Sequence, residues 1–229
     1  MPAEVVAIDG PAGSGKSSTA RAVADRLRFA HLDSGALYRA FTLATLDADL
    51  PLDGPRIAAL AAERPIRLVL GADGFFPEIA GADVSAVVRR QDVTGQVSAV
   101  SALPAVRDVA NRLLREAAAL HPRGVVADGR DIGTVVFPDA RLKVFLTASP
   151  EERARRRLLQ EGRGVTLESL AAEAGRLGAR DLADASRAVA PLRQADDAVL
   201  LNTTDLTLDE QVEAIAALAR KAFSHLDID

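Results

Sequence analysis

The chain has 229 residues, a net charge of −4 and no cysteine. That length suits one large α/β domain with a sizeable core, and the missing cysteine excludes disulfides, thiolate metal sites and a cysteine nucleophile. The acidic balance disfavours bulk attachment to nucleic acid or an anionic membrane, and no stretch is apolar enough to span a bilayer.

In chain order, Val5-Val6-Ala7-Ile8 reads as a buried strand that runs into Gly10-Pro11-Ala12-Gly13-Ser14-Gly15-Lys16-Ser17. This is the full G-x-x-x-x-G-K-[ST] pattern. Its backbone amides cradle phosphates, Lys16 reaches the outer phosphates, and the Ser17 hydroxyl is the candidate Mg²⁺ ligand. A helix opens at about residue 15 and points its positive end at the anion. The N-terminus lacks a signal-peptide pattern, so a cytoplasmic location is expected.

A short strand follows at Ala30-His31-Leu32, then a helix to about residue 48, and a break at Pro51, Gly54 and Pro55. Residues 56–63 read as a short helix. Ile66–Leu70, a turn at 71–74, Phe75–Ile79 and Ala82-Asp83-Val84 read as an antiparallel meander set into an alternating α/β chain, a candidate substrate-binding insertion. A long helix is predicted from Pro104 to about Leu120, and strands at 124–127 and 142–146. Ser149-Pro150-Glu151-Glu152 starts a helix carrying Arg153, Arg155, Arg156 and Arg157. Thr166 caps another helix through Arg180-Asp181. Ala198–Leu201 is the last strand, and Thr207-x-x-Glu210 caps a terminal helix. Four or five βα units imply a parallel sheet with ligands at the carboxyl ends of its strands.

The phosphate loop leaves three classes open: a small-molecule kinase, a GTP-driven switch and an ATP-driven machine. A non-enzymatic nucleotide-binding regulator is a fourth. No Asn-Lys-x-Asp sequence is present to read guanine, and no Leu-Ser-Gly-Gly-Gln signature. Three clusters at predicted strand or helix ends favour a kinase with an anionic acceptor. They are Asp33-Ser34-Gly35-Ala36-Leu37-Tyr38-Arg39, Asp128-Gly129-Arg130-Asp131-Ile132-Gly133-Thr134, and Arg180-Asp181-x-x-Asp184-x-x-Arg187. In a helix, Arg180, Asp184 and Arg187 share one face. Each cluster also has an ordinary reading: a helix cap, a turn and a solvated ion-pair row. The three histidines, His31, His121 and His225, are scattered and read as structural or surface residues.

Together with Ile8–Lys16, Leu32–Arg39, Ala127–Pro138 and Arg187–Leu192, these stretches resemble the bacterial cytidylate kinase ((d)CMP kinase) family over most of the chain. The resemblance implies a P-loop nucleoside monophosphate kinase-like α/β fold, with a parallel sheet flanked by helices. It implies one domain (1–229) with an antiparallel monophosphate-binding insertion (64–103) and a helical lid (153–187). It implies phosphoryl transfer from ATP, with Mg²⁺, to CMP or dCMP; neighbouring UMP or AMP kinases are the alternative. ATP would sit on Gly10, Pro11, Ala12, Gly13, Ser14, Gly15, Lys16, Ser17 and Ser18. Relatives often carry glycine-threonine after the lysine, and Ser17 or Ser18 here supplies the hydroxyl. The acceptor would be held by Ser34, Arg39, Ser98, Arg107, Arg130, Asp131, Arg180, Asp184 and Arg187. Ser98, Arg107 and Asp131 match positions that read the cytosine edge, and Arg39 and Arg130 would grip the acceptor phosphate. Lys16, Arg130 and the lid arginines Arg153 and Arg156 are the expected catalytic groups, the last two swinging over the migrating phosphoryl. The chain is expected to act as a monomer.

Overall fold

The computed structural model describes residues 4–224; His225 lies outside them. Five parallel strands form the main sheet: β1 (Glu4–Asp9), β2 (Ala30–Asp33), β6 (Gly124–Gly129), β7 (Leu142–Thr147) and β8 (Val199–Asn202), in the order β2-β6-β1-β7-β8. A parallel sheet is covered on both faces, so β1 and β6 are buried along almost their whole length, with charged residues only at or next to the ends. On β1, Val5 and Ala7 enter one core, and Val6 and Ile8 enter the other.

The Val6 side packs against α1 (Lys16–Leu27) and α8 (Leu208–Ala222), where Phe29 meets Phe223 edge to face at 5.8 Å. The Val5 side packs against α2 (Ser34–Asp47) and α5 (Pro104–Ala118). Because alternate residues face opposite ways, the register that buries these side chains also aligns the strand ends: Asp9 lies opposite Gly129, and Asp33 opposite Asp128.

The insertion holds an antiparallel sheet, β3 (Ile66–Gly71), β4 (Gly74–Ile79) and β5 (Ala82–Asp83), preceded by α3 (Gly54–Glu63) and followed by α4 (Gln91–Ser101). The 153–187 segment lies on α6 (Pro150–Gln160) and α7 (Leu167–Ala185).

Capping chemistry explains the boundaries that were legible. Ser149 accepts from the Glu152 amide, and Thr166 and Thr207 form reciprocal capping boxes with Ser169 and Glu210. Two elements were not anticipated. Helix α4 starts without a side-chain cap and contains Gly95 and three valines, residues with poor helix propensity. A π-helical turn at Ile132–Val136 follows β6. It is fixed from outside: Asp9 accepts from the Ile132 and Gly133 amides at 2.8 and 2.7 Å.

Candidate active site

The phosphate loop departs from β1 at Gly10 because nothing larger fits. A β-carbon there would lie 2.1 Å from the Leu146 carbonyl oxygen of β7. Gly13 and Gly15 follow with φ of +76° and +91°, a conformation that favours glycine. The loop ends at Lys16, where α1 begins.

Lys16 is 6 % exposed; its Nζ donates to the Pro11 carbonyl at 2.6 Å and to the Ser14 hydroxyl at 3.4 Å. Burial, and then the neighbouring Arg130, hold its pKa well below the ordinary lysine range. The Ser17 hydroxyl donates to Asp128 Oδ2 at 2.7 Å, and His31 Nε2 donates to Asp128 Oδ1, also at 2.7 Å. Burial works against charge on His31, but the hydrogen bond and charge of Asp128 outweigh it and the pKa rises. Burial likewise opposes ionisation of Asp128, yet His31 and Ser17 draw its pKa below the ordinary carboxylate value. Burial pushes the Asp9 carboxyl up to about 6, against the pull of the two amides it accepts from.

A cleft of about 480 Å³ opens beside the loop. Ser17, Ser18 and Lys16 line it from the donor side. Every residue expected to hold the acceptor lines it as well: Ser34, Arg39, Ser98, Arg107, Arg130, Asp131, Arg180, Asp184 and Arg187. The end of β6 and the four helices α2, α4, α5 and α7 bring them together, with Arg187 just beyond the end of α7. Asp33 does cap α2, accepting from the Ala36 amide at 3.1 Å, and this sets Ser34 against the β6 end, where its hydroxyl donates to the Asp128 carbonyl at 2.8 Å. Arg39, one helical turn further, donates to Thr94 Oγ1 of α4 at 2.7 Å. On α5, Arg107 is 1 % exposed; it pairs with Asp131, donates to the Ser101 carbonyl at 3.0 Å, and lies 5.3 Å over the Tyr38 ring. From α7, Asp184 accepts from Arg130 Nε at 2.9 Å and from Arg187.

Positive charge in this cleft exceeds what its carboxylates neutralise. Burial lowers the pKa of Arg39, with Arg89 adding to it, and pushes Arg180 down to about 10, with Arg130 adding to it. Arg187 is lowered by burial although Asp184 opposes the shift. Such crowding of partly desolvated cations is relieved by a bound anion.

Two expected catalytic residues are placed elsewhere. Arg153 and Arg156 do not line the cleft. Arg153 runs beneath the loop, donating to the Ala12 carbonyl at 3.0 Å and pairing with Asp181. Arg156 turns toward the end of β8, donating to the Thr203 carbonyl at 2.5 Å and the Thr203 hydroxyl at 2.9 Å. The cations that reach the cleft from α6 and α7 are Arg157, Arg176 and Arg180. Arg157 and Arg176 were missed. Neither carried a signal in the sequence: Arg157 sits one turn from Arg153, which does not face the cleft, and Arg176 stands outside every motif. Tyr38, Ser101 and Arg89 also line the cleft and were not singled out as site residues.

Ser17 and Asp128 offer oxygen donors of the kind Mg²⁺ takes, and the described residues hold no cluster of three His, Cys, Asp or Glu that would form an all-protein metal cage. That donor set fits Mg²⁺, which completes its shell with water and substrate phosphates.

The cytidylate kinase family profile matches residues 6–221. The cytidylate kinase of Streptomyces avermitilis is 47 % identical over 223 residues, covering 96 % of this chain and 94 % of that one. That of Chlorobaculum tepidum is 43 % identical over 220 residues, covering 95 % and 93 %. Among solved structures, an uncharacterized protein from Eubacterium ventriosum aligns over 95 % of this chain and 98 % of its own with a TM-score of 0.51; at 12 % identity this speaks to the fold alone. With the phosphate loop, the arginine-lined cleft and this match over nearly its whole length, the chain belongs to the cytidylate kinase family and is a phosphotransferase.

Proposed function

We propose that the protein transfers the γ-phosphoryl group of ATP to CMP or dCMP, giving ADP and CDP or dCDP. The observation that carries this reading is the buried Arg107–Asp131 pair in the same cleft as the crowded arginines and the phosphate loop. The arginines suit the phosphates, and the pair suits the base. Cytosine presents an amino donor beside a ring-nitrogen acceptor, and uracil presents the reverse. Asp131 accepts from the amino group and Arg107 donates to the acceptor edge. With UMP both contacts face like partners, at about 1–3 kcal/mol for each unmatched buried group.

Transfer breaks the bond between the γ-phosphorus and its bridging oxygen and forms one to an oxygen of the acceptor phosphate. That oxygen is already anionic, so no general base is required; the protein aligns two mutually repelling anions and compensates charge. Lys16 and the loop amides hold the donor phosphates, Ser17 is the metal ligand, and Mg²⁺ supplies charge neutralisation there. Arg39 and Arg130 hold the acceptor phosphate with Ser34 beside it, Arg180 and Asp184 hold its sugar, Ser98 joins Arg107 and Asp131 at the base, and Arg187 lies near base and phosphate. Arg157, with Arg176, takes the role expected of Arg153 and Arg156, facing the group in transfer. No helix of the described residues is long and apolar enough to cross a membrane; in this reading the enzyme works in the cytoplasm as a monomer.

A coupled assay with ATP, Mg²⁺ and the monophosphates CMP, dCMP, UMP and AMP tests this. CMP and dCMP are expected to turn over with the highest kcat/KM. A preference for UMP or AMP would replace the reading with that neighbouring kinase. Asp131→Asn keeps the shape beside Arg107 and is expected to cut the CMP-over-UMP ratio by tenfold or more, about 1.4 kcal/mol.

A further inference from the structure

Helix α7 carries, side by side, residues with two different attachments. Arg180 and Asp184 line the cleft from the helix, and Arg187, two residues beyond its last residue Ala185, lines it as well and pairs with Asp184. Asp181, next to Arg180, instead reaches the donor loop: its Oδ1 accepts from the Ala12 amide at 2.7 Å and its Oδ2 pairs with Arg153. Arg153 closes the circuit by donating to the Ala12 carbonyl at 3.0 Å. Both polar groups of one loop residue are thus held by a carboxylate from α7 and a guanidinium from α6, and the two hold each other. Side-chain exposures of 16 % for Asp181 and 11 % for Arg153 keep this ring largely out of water, where charge-assisted bonds are strongest. The apolar packing runs the same way. Leu177, one turn earlier on α7, is buried, and a β-carbon on Gly13 would lie 3.2 Å from its Cδ1 and 2.9 Å from the Arg153 carbonyl oxygen.

We propose that Asp181 is a positioning residue that fastens the acceptor-holding helix to the donor loop, so that nucleotide on the loop and monophosphate under α7 bind cooperatively. Asp181 is outside the lining of the cleft and touches neither substrate in this scheme. It acts through Ala12 and Arg153. Ordering the loop around a triphosphate also orders α7, which then presents Arg180 and Asp184, and through Asp184 the paired Arg187, to the acceptor at less cost. By linkage the acceptor must tighten the donor by the same factor. The inference rests on the acceptor-side assignment proposed above.

The test is calorimetric titration of CMP into the full chain with and without a non-hydrolysable ATP analogue plus Mg²⁺, for wild type, Asp181→Asn and Arg153→Met. Couplings of this kind run to about 5–150-fold. The analogue is expected to tighten CMP at least fivefold in wild type. Asp181→Asn, which keeps an acceptor for the Ala12 amide but drops the ion pair, is expected to reduce that factor to below twofold. Its affinity for each ligand alone should stay within about threefold of wild type. The double variant should be no worse than either single one, since both break the same ring. Undiminished coupling in Asp181→Asn, or wild type with no coupling, overturns the proposal. So does equal weakening of both ligands alone, which marks a merely structural role. Product formation separates the two claims. If wild type phosphorylates UMP or AMP instead, the function reading fails, and the coupling is measured with that acceptor.

Discussion

Lys16 and His31 show what burial does to single charges at the donor end of the cleft. Lys16 carries its charge against desolvation and the repulsion of Arg130, so its place is a cost to the fold that a bound polyphosphate offsets. Lys16→Ala is therefore expected to lower kcat by about 10²–10³-fold, the usual scale for one lost charge stabiliser. Its melting temperature should be no lower than that of wild type, because no buried cation remains to be stabilised; activity assays and calorimetry on the same preparation check both. His31 bonds the carboxylate that also receives Ser17. Its pKa is raised in the folded protein, so the stabilisation is complete below the ordinary imidazole value near 6.5 and is lost as pH rises through the folded value. The melting-temperature gap between wild type and His31→Phe should be widest near pH 6 and shrink toward pH 9. A gap independent of pH would mean that the ring does not titrate in this window.

Helix α6 shows how one element divides its charges. Arg153 lies under the loop, Arg156 reaches the Thr203 carbonyl, and Arg157 faces the cleft. Arg157→Met is expected to reduce kcat by tenfold or more with little change in melting temperature. Arg156→Met should do the opposite. It removes charge-assisted bonds to Thr203, whose exposure is 0 %, together with an ion pair to Glu152. Such bonds are worth about 1.5–3 kcal/mol each, so a fall of at least roughly 3 °C is expected in a chain this size. Steady-state kinetics beside thermal melts of the two variants distinguish the roles. The helix itself was legible from Ser149, Pro150 and Glu152, because a cap is a local hydrogen bond between near neighbours. Helix α4 was not, since it starts on no cap and is held by burying Val93, Val97 and Val100 against distant residues.

Across the whole molecule, the cleft is assembled from the carboxyl ends of β2 and β6, the loop after β1, and helices α2, α4, α5, α6 and α7. The residues assigned above to the acceptor and to the donor come from different parts of the chain, and the proposed link between them is α7. Water is the competing acceptor, and a site completed only when both substrates are present suppresses it. ATP hydrolysis measured without a monophosphate is therefore expected to be a small fraction of the turnover with CMP. Rapid hydrolysis without acceptor would mean that the loop alone completes the catalytic site.

The sequence alone determined whatever depends on neighbours along the chain. It specified the glycine loop between strand and helix, the caps of α6, α7 and α8, and the meander set into alternating α/β units. The motifs also carried the family resemblance and, through it, the residues that line the cleft. Only the tertiary structure decided which arginine of a charged run looks inward. On α6, consecutive positions are about 100° apart, and a run of like charges carries no hydrophobic phase to say which direction is inside. The pairing of Arg107 with Asp131, 24 positions away, and the Asp181 ring around Ala12, 169 positions away, were hidden for the same reason. These contacts are set by how the sheet stacks its strand ends and how α5 and α7 lie across them, which no local pattern encodes.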